Sequence, residues 1–415
     1  MFLSPQEVAA VRERFGTPCY VYDERTLEAA ARRALAFPRA FGFSLRYAMK
    51  ANPNPAILGI FRRLGLHIDA SSEWEVLRAL RAGYAPEQIQ LTSQAPATDL
   101  AGLVARGVLF NACSLHQLDA FGRVAPGGSL SVRINPGLGS GSTNRTNTGG
   151  PAASFGIWHE YLGRVREIAS QHGLHVRRLH THIGSGSDPA VWTRVARMSL
   201  DIAAELPEVT TLNLGGGFKV GRVPGEQTTD LEAVGAHVRQ EFLDFRDRTG
   251  RALDLEIEPG TYLVANAGVV VATCIDVVDT GSSGYLFAKL DAGMTEVTRP
   301  ALYGAQHPIE VVASGRPTAE VVFVGPCCES GDVLTPAPGD PEGLAPRPVP
   351  RPAIGDAVVI GGAGAYCAAM AIANYNSYPQ APEVLRRQDG TLTLVRRRQT
   401  LDDMLSTLVE EAGLA

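Results

Sequence analysis

The stretch Tyr47-Ala48-Met49-Lys50-Ala51-Asn52 decides how the rest of the chain is read. A short apolar, aromatic run, Phe43-Ser44-Leu45-Arg46-Tyr47-Ala48, delivers a single lysine, and Asn52-Pro53-Asn54-Pro55 follows at once. Runs of this composition favour strands, and an Asn-Pro-Asn-Pro tetrad ends them. The pattern predicts Lys50 at a strand end, not on a helix surface. An amine held there can form a Schiff base with an aldehyde. A solvated lysine at a strand edge is the competing reading.

Outward from this lysine, short strand candidates alternate with amphipathic helical stretches. The strand candidates are Phe43–Ala48, His67–Ala70, Ile89–Ser93, Leu109–Cys113, Leu130–Asn135, Val176–Ile183, Thr211–Leu214 and Leu253–Ile257. Helical patterns fall between them, at Ser72–Ala82, Leu115–Val124, Tyr161–His172, Pro189–Leu206 and Leu231–Arg248. Eight strands with intervening helices over roughly 220 residues match a (β/α)8 barrel in count and length. A doubly wound parallel sheet is the alternative. Upstream, Ser4-Pro5-Gln6-Glu7 is a helix start with a capping box, and that helix should stop near Gly16. Cys19–Tyr22 then reads as a strand ending at Asp23.

After Glu258-Pro259-Gly260 the rhythm changes to β-rich runs: Tyr262–Asp276, Tyr285–Asp291, Ile309–Val312, Glu320–Val324, Ala357–Ile360 and Leu392–Arg396. Few helices separate them, which predicts a second, mainly antiparallel β domain. The expected division is a barrel over 28–262 and a β-rich domain from 1–27 with 263–415. Pro336–Pro352 holds seven prolines in seventeen residues. It is expected to be a surface loop or extended excursion, not a core strand.

Composition sets outer bounds. The chain of 415 residues is 45% apolar and 20% charged, with a formal net charge of −5. That fits a globular protein of two or three domains with a sizeable core. Charges of both signs are scattered, so nothing marks a surface for nucleic acid or anionic membrane. Glu7, Arg12, Glu13 and Arg14 interrupt the first thirty residues, and a secretory signal is not expected. The longest apolar run, Ala267–Ile275, is too short to span a bilayer. Six cysteines in a chain this long make no disulfide framework, and no His/Cys spacing suits a metal. A cytoplasmic protein with reduced thiols is expected.

Polar residues fall where a barrel would need them. Lys50 follows the first strand, Asp69 ends the second, and Arg133 lies in the fifth. His180 and His182 lie near the end of the sixth, Gly215-Gly216-Gly217 ends the seventh, and Glu258 ends the eighth. Active sites of such barrels sit at the C-terminal ends of the strands. Each position also has a plainer reading. The three glycines suit a phosphate or a tight turn. Ser185 could add a hydroxyl to the same anion or simply belong to a loop. His182 could lie against an aromatic cofactor or satisfy its nitrogens in the core. Asp69 could instead cap the helix at Ser72–Ala82. Glu256 and Glu258 share one face of their strand and need a cationic partner. A protonated pyridine nitrogen or Arg133 could serve.

Taken in order, the motifs resemble the fold-type III, alanine racemase-like decarboxylases that use pyridoxal 5′-phosphate, and specifically the diaminopimelate decarboxylases. The resemblance runs nearly end to end. It rests on Tyr47–Asn52, Arg133-Ile134-Asn135-Pro136, His180-Thr181-His182-Ile183-Gly184-Ser185-Gly186, Gly215–Gly217 and Glu258-Pro259-Gly260. Further on come Asp291-Ala292-Gly293-Met294, Arg299-Pro300-Ala301-Leu302-Tyr303, Cys328-Glu329-Ser330-Gly331-Asp332, Gly364-Ala365-Tyr366, Asn374-Tyr375-Asn376 and Pro382-Glu383-Val384-Leu385. Thr146–Gly150, Gly156-Ile157-Trp158 and the tail Arg396-Arg397-Arg398-Gln399-Thr400 look like the enterobacterial branch.

The resemblance implies roles. Lys50 would be the Schiff-base lysine, Glu258 would pair with the pyridine nitrogen, and His182 would stack on the ring. Asp69 and Arg133 would belong to the cofactor site. Ser185, Gly215–Gly217 and Tyr366 would hold the phosphate. Arg299 and Tyr303 would grip the substrate's distal carboxylate. Cys328, a candidate proton donor, and Glu329 would come from the second subunit of a homodimer. The implied reaction is decarboxylation of meso-2,6-diaminopimelate to L-lysine and CO₂, the last step of lysine biosynthesis. Decarboxylation of another basic amino acid, such as D-lysine or D-ornithine, is the alternative, and a non-catalytic regulatory relative a further one.

The chain departs from the family pattern in two places. Glu-Pro-Gly usually continues with an arginine that helps hold substrate carboxylate, and here the position is Thr261. A hydroxyl cannot replace a guanidinium fork. Arg145 and the loop Thr146–Gly150 are candidates to close over the site. Ser154 stands where relatives often carry a basic residue that pairs across the dimer with the residue matching Asp332.

Overall fold

The computed structural model describes residues 1–139, 148–182, 184 and 186–409. The chain divides into two compact units. One is Leu27–Gly221 with Gly225–Val264; the other is Met1–Thr26 with Arg222–Pro224 and Ala265–Ala415. In chain order the strands are β1 (Cys19–Asp23), β2 (Phe43–Ala48), β3 (His67–Ala70), β4 (Ile89–Leu91), β5 (Leu109–Ala112), β6 (Ser129–Asn135), β7 (Ile157–Trp158), β8 (His175–Thr181), β9 (Thr211–Asn213), β10 (Asp254–Ile257), β11 (Gly268–Asp279), β12 (Leu286–Leu290), β13 (Ile309–Val311), β14 (Thr318–Val324), β15 (Pro336–Ala337), β16 (Asp340–Leu344), β17 (Arg347–Pro350), β18 (Ala357–Ile360), β19 (Glu383–Arg386) and β20 (Leu392–Arg396).

The first unit is a closed parallel barrel. Its strands run β5-β4-β3-β2-β10-β9-β8-β6, and β5 pairs with β6 to close the ring, while the two-residue β7 flanks β6. Apolar side chains such as Leu45, Tyr47, Ile68, Val132, Leu179, Leu212, Leu255 and Ile257 are buried. Each contributes about 1.5–3 kcal/mol through burial. Alternate positions on the same strands carry buried polar groups: Arg46, Asp69, Gln90, Asn111, Arg133, His180, Asn213, Glu256 and Glu258. The period of two puts these on the opposite face of each strand.

The barrel helices start where short side chains cap them. Asn54, Ser72, Asp99, Ser114, Asp188 and Asp230 each accept a hydrogen bond from an N–H of the first turn that follows. Ser72, not Asp69, caps the helix Glu73–Arg81. Asp69 is 1% exposed at the end of β3.

The second unit is built on a sheet ordered β17-β14-β12-β11-β1-β19-β20, with β18 pairing β11 and β13. Six of its eight pairings are antiparallel; β1–β19 and β12–β14 are parallel. The helix Pro5–Phe15 begins with the Ser4/Glu7 capping box and ends at Gly16. Its Val8 and Val11 pack on Val21, Val269, Val271, Val359 and Val384.

Two expectations for this part of the chain need correction, and a third is refined. Tyr262–Asp276 is not one strand: Thr261–Val264 is a helical turn, and β11 starts at Gly268. Both pieces are buried, so the apolar run hides the boundary between them. The strand β19 was not expected, because it carries charges at both ends. Those charges are paired, Glu383 with Arg396 at 2.7 Å and Arg386 with Glu7 at 2.7 Å and Asp23 at 2.9 Å. The proline-rich segment is an extended excursion and no core strand, as expected, and the structure adds its pairings. It forms the hairpin β15–β16 and then β17, which pairs with β14 at the sheet edge. The Arg351 N–H donates to Pro317 O at 2.9 Å, on the side facing β14. By alternation, the positions lacking an N–H, Pro348 and Pro350, face away from the sheet.

Candidate active site

Lys50 lies two residues beyond the end of β2, in the single 3₁₀ turn Met49–Ala51. The Tyr47 hydroxyl donates to Asn52 O at 2.9 Å, closing the turn that carries the lysine. The Tyr47 ring meets Phe61 edge-on at 4.7 Å, which fixes the phenol. The Ala48 N–H donates to Pro259 O, and a Cβ on Gly260 would lie 3.2–3.3 Å from Ala48 and Ala51. The glycine of Glu258-Pro259-Gly260 thus lets the end of β10 close on the lysine turn. Lys50 Nζ lies 3.3 Å from Ser71 Oγ and 3.8 Å from Asp69 Oδ2, and its side chain is 42% exposed.

Glu258 follows β10 directly and is 3% exposed. Asn213 Nδ2 donates to its Oε1 at 2.6 Å and Gln90 Nε2 at 3.2 Å, while His180 Nε2 lies 3.2 Å from Oε2. Asn111 Nδ2 is 2.7 Å from His180 Nδ1 and 3.3 Å from Thr92 Oγ1. Burial pushes the Glu258 carboxyl up, but His180, by charge and hydrogen bond, and Lys50 act against it, and the group is held well below the usual range. Asp69 goes the other way: burial and the Glu258 charge raise it to about 6. Two buried carboxyls are thereby pushed apart, one kept ionised and one titrating near neutrality.

Glu256 takes a different partner from the one expected. Its Oε1 lies 3.0 Å from Arg46 Nη2 and is also bonded by Arg178. Arg133 pairs with neither Glu256 nor Glu258 among the described residues. Its guanidinium lies 5.2 Å from the Phe155 ring centroid, and its buried Nη2 has no hydrogen-bond partner there.

His182 follows β8 and is half-buried. Its Nδ1 accepts from the Gly184 N–H at 3.1 Å and lies 3.1 Å from Thr148 Oγ1. Burial, then Arg133 and Lys50, hold its pKa well below the ordinary value, so the ring is neutral. Gly215 has φ +71° and Gly217 φ +100°. A Cβ on Gly215 would lie 2.8 Å from His182 Cγ, and one on Gly216 would run into Glu258 O. The glycine run is therefore required by close approach on both sides. Ser185, Arg145, Thr146 and Asn147 lie outside the described residues.

In the β unit, Arg299 lies in the helix Thr298–Tyr303, and its Nη1 is 3.0 Å from His307 Nε2. Tyr303 ends the same helix. Cys328 is exposed, and its N–H donates to Asn376 Oδ1 at 2.8 Å. Glu329 is exposed and accepts from the Gly331 N–H at 3.0 Å. Neighbouring Cys327 has its thiol pushed up to about 12 by burial and by Asp332. Asp332 is buried and accepts from Met294 N at 2.6 Å and Cys327 N at 2.9 Å, so its carboxylate has backbone donors in its own unit. Tyr366 has φ +55°, a conformation rare for a side chain of this size.

Residues 27–265 match the model for the pyridoxal-binding domain of pyridoxal-dependent decarboxylases. Diaminopimelate decarboxylase from Streptomyces coelicolor is 39% identical, over 98% of this chain and 93% of that protein. The chain belongs to the diaminopimelate decarboxylases. A crystal structure of a diaminopimelate decarboxylase superposes with a TM-score of 0.90 at 34% identity, over 97% of this chain and 96% of its own. The Helicobacter pylori enzyme complexed with L-lysine gives 0.86 at 26% identity, over 96% and 98%.

The barrel residues fit the cofactor this family uses. An amine, a low-lying carboxylate, a neutral imidazole and a glycine run stand at the C-terminal ends of its strands. Among the described residues, Asp69 Oδ1, Arg133 Nη2, Asn111 Oδ1 and Gln90 Oε1 are buried polar atoms with no hydrogen-bond partner, as expected where a polar ligand binds. Sequence reasoning missed Gln90, Asn111 and Asn213. They carry no charge, and their only signal is an amide at an inward position of a strand.

Proposed function

We propose that the protein decarboxylates meso-2,6-diaminopimelate to L-lysine and CO₂ as a pyridoxal-phosphate-dependent carboxy-lyase. The observation that carries this reading is that neighbouring strands β2 and β10 are followed by an amine, Lys50, and by a buried carboxylate, Glu258, which Asn213, Gln90 and His180 hold in place. When bound, the cofactor accepts the electron pair that the departing CO₂ leaves behind. Lys50 would hold its aldehyde carbon, and Glu258 would keep the pyridine nitrogen protonated. His182 would lie on the ring, with Asp69 and Arg133 beside it. Ser185, Gly215, Gly216, Gly217 and Tyr366 would hold the phosphate.

Arg299 and Tyr303 would fix the substrate's distal carboxylate. A guanidinium whose neighbour is a neutral imidazole, with no carboxylate paired to it among the described residues, suits a bidentate anion. Cys328 and Glu329 would act from the other subunit of a homodimer, Cys328 delivering the proton that replaces CO₂. An anabolic enzyme of this kind belongs in the cytoplasm, and no helix among the described residues is long and apolar enough to cross a membrane.

The decisive experiment supplies purified protein with pyridoxal 5′-phosphate and meso-diaminopimelate, and measures CO₂ and lysine. Both should appear in equal amounts. Thr261 favours a second reading, a decarboxylase of D-lysine or D-ornithine. Turnover of either, with none of meso-diaminopimelate, would establish that reading instead. A non-catalytic relative would show no turnover of any of the three.

A further inference from the structure

One buried carboxylate in the β unit holds two segments at once. Asp332 is 2% exposed and sits between Gly293 and Gly325. A Cβ on Gly293 would lie 2.3 Å from Asp332 Oδ1, and one on Gly325 would lie 2.2 Å from Oδ2. Both glycines are therefore needed to seat the carboxylate. Its Oδ1 accepts from the Met294 N–H at 2.6 Å, and its Oδ2 from the Cys327 N–H at 2.9 Å. Burial raises its pKa, and the two N–H bonds act against that rise.

Each of these N–H groups leads to a candidate site residue. Cys327 precedes Cys328, whose own N–H donates to Asn376 Oδ1 at 2.8 Å. The loop closes on the same aspartate: the Gly325 N–H donates to Asp332 O at 2.9 Å, and the Asp332 N–H to Glu329 O at 3.1 Å. On the other side, Met294 O accepts from Thr298 Oγ1 at 2.9 Å, and Thr298 opens the helix that carries Arg299 and Tyr303. That helix has no side-chain cap. Its start is placed instead by the turn that Asp332 holds, in which Gly293 O accepts from the Glu296 N–H at 3.0 Å and the Val297 N–H at 2.8 Å. Thr298 Oγ1 is also 2.9 Å from Met370 O, which ties the helix down a second time.

We propose that Asp332 is a positioning residue that sets the Cys328 loop and the Arg299 helix from one point, with Thr298 completing the link to Arg299. It acts through the backbone of Cys327 and Met294. The proposal rests on the reading of Cys328 as proton donor and of Arg299 as carboxylate ligand. An amide in place of the carboxylate would turn its NH₂ toward one of the two backbone donors, leave that donor unsatisfied and loosen the segment it belongs to.

The test compares Asp332→Asn, Cys328→Ala, the double variant, Thr298→Val and Arg299→Gln holoenzymes with the parent. Asp332→Asn should lower kcat by roughly tenfold or more, and raise KM for meso-diaminopimelate and Ki for L-lysine by about threefold or more. In the Cys328→Ala background, Asp332→Asn should lower kcat by less than about twofold, because the thiol it places is gone, while its effect on KM persists. Thr298→Val cuts the second link alone and should raise KM by about threefold with kcat within about twofold of the parent. It carries the test if Asp332→Asn fails to fold. An undiminished kcat loss in the Cys328→Ala background overturns the proposal, because a merely structural defect adds to any other. So does an unchanged KM in Thr298→Val. If Cys328→Ala lowers kcat and Arg299→Gln raises KM while Asp332→Asn does neither, this proposal fails alone. If Cys328→Ala leaves kcat unchanged, or Arg299→Gln leaves KM unchanged, the reading beneath it fails and takes the proposal with it.

Discussion

The barrel and the β unit hold their candidate site residues in opposite ways. Glu258 and Asp69 are at most 3% exposed, and Glu258 is bonded by side chains from β4 and β9. Cys328 and Glu329 stand exposed on the loop after β14, tied down by backbone hydrogen bonds to Asn376 and within the loop itself. In the barrel, removing one partner leaves another buried group unsatisfied, which costs about 1–3 kcal/mol. On the loop, the lost group is replaced by water. Chemistry and stability should therefore be inseparable in the barrel and separable on the loop.

Four substitutions test that contrast. Lys50→Ala should lower kcat by roughly 10³-fold or more and abolish the visible absorption of bound cofactor. Cys328→Ala should lower kcat by roughly a hundredfold or more, as for loss of a general acid, yet shift stability by no more than about 0.5 kcal/mol. A large loss of stability on urea denaturation would break the contrast at its loop end. Asp69→Asn tests the pH dependence of cofactor-free protein. The Asp69 carboxyl, at about 6 when folded against an ordinary 3.8, binds its proton more tightly in the folded state. Its contribution is full below pH 3.8 and is lost as pH rises through 6, by at most about 3 kcal/mol. The variant should lack this decline. Glu258 has the opposite sign, stabilising above pH 4.5 and losing that contribution as pH falls, so acid sensitivity should persist in Asp69→Asn. Asn213→Ala should cost about 1–3 kcal/mol in urea midpoint experiments, because it removes the 2.6 Å bond to Glu258.

The barrel was legible in the sequence because short strand runs recur eight times with helical stretches between them, and each repetition confirms the others. The charged or glycine positions at the strand ends, Lys50, Asp69, Gly215–Gly217 and Glu258, stood out for the same reason. Gln90, Asn111 and Asn213 did not, because one amide in one strand has no pattern to belong to. The partner of Glu256 was misjudged because Arg46 and Arg133 are both arginines inside barrel strands, and only the closed ring shows that Arg46 sits beside β10. In the β unit, β19 was hidden because its charges are neutralised by residues as distant in sequence as Glu7.

The prolines of β17 carry a consequence beyond their place in the sheet. A terminal strand with a full row of outward N–H groups is a template on which another chain can add its own strand. At Pro348 and Pro350 those donors are missing, on the side away from β14. The nine-stranded sheet therefore ends in an edge that resists growth. Replacing both prolines with valine would recreate a continuous row of donors, and with it a route to self-association through this edge.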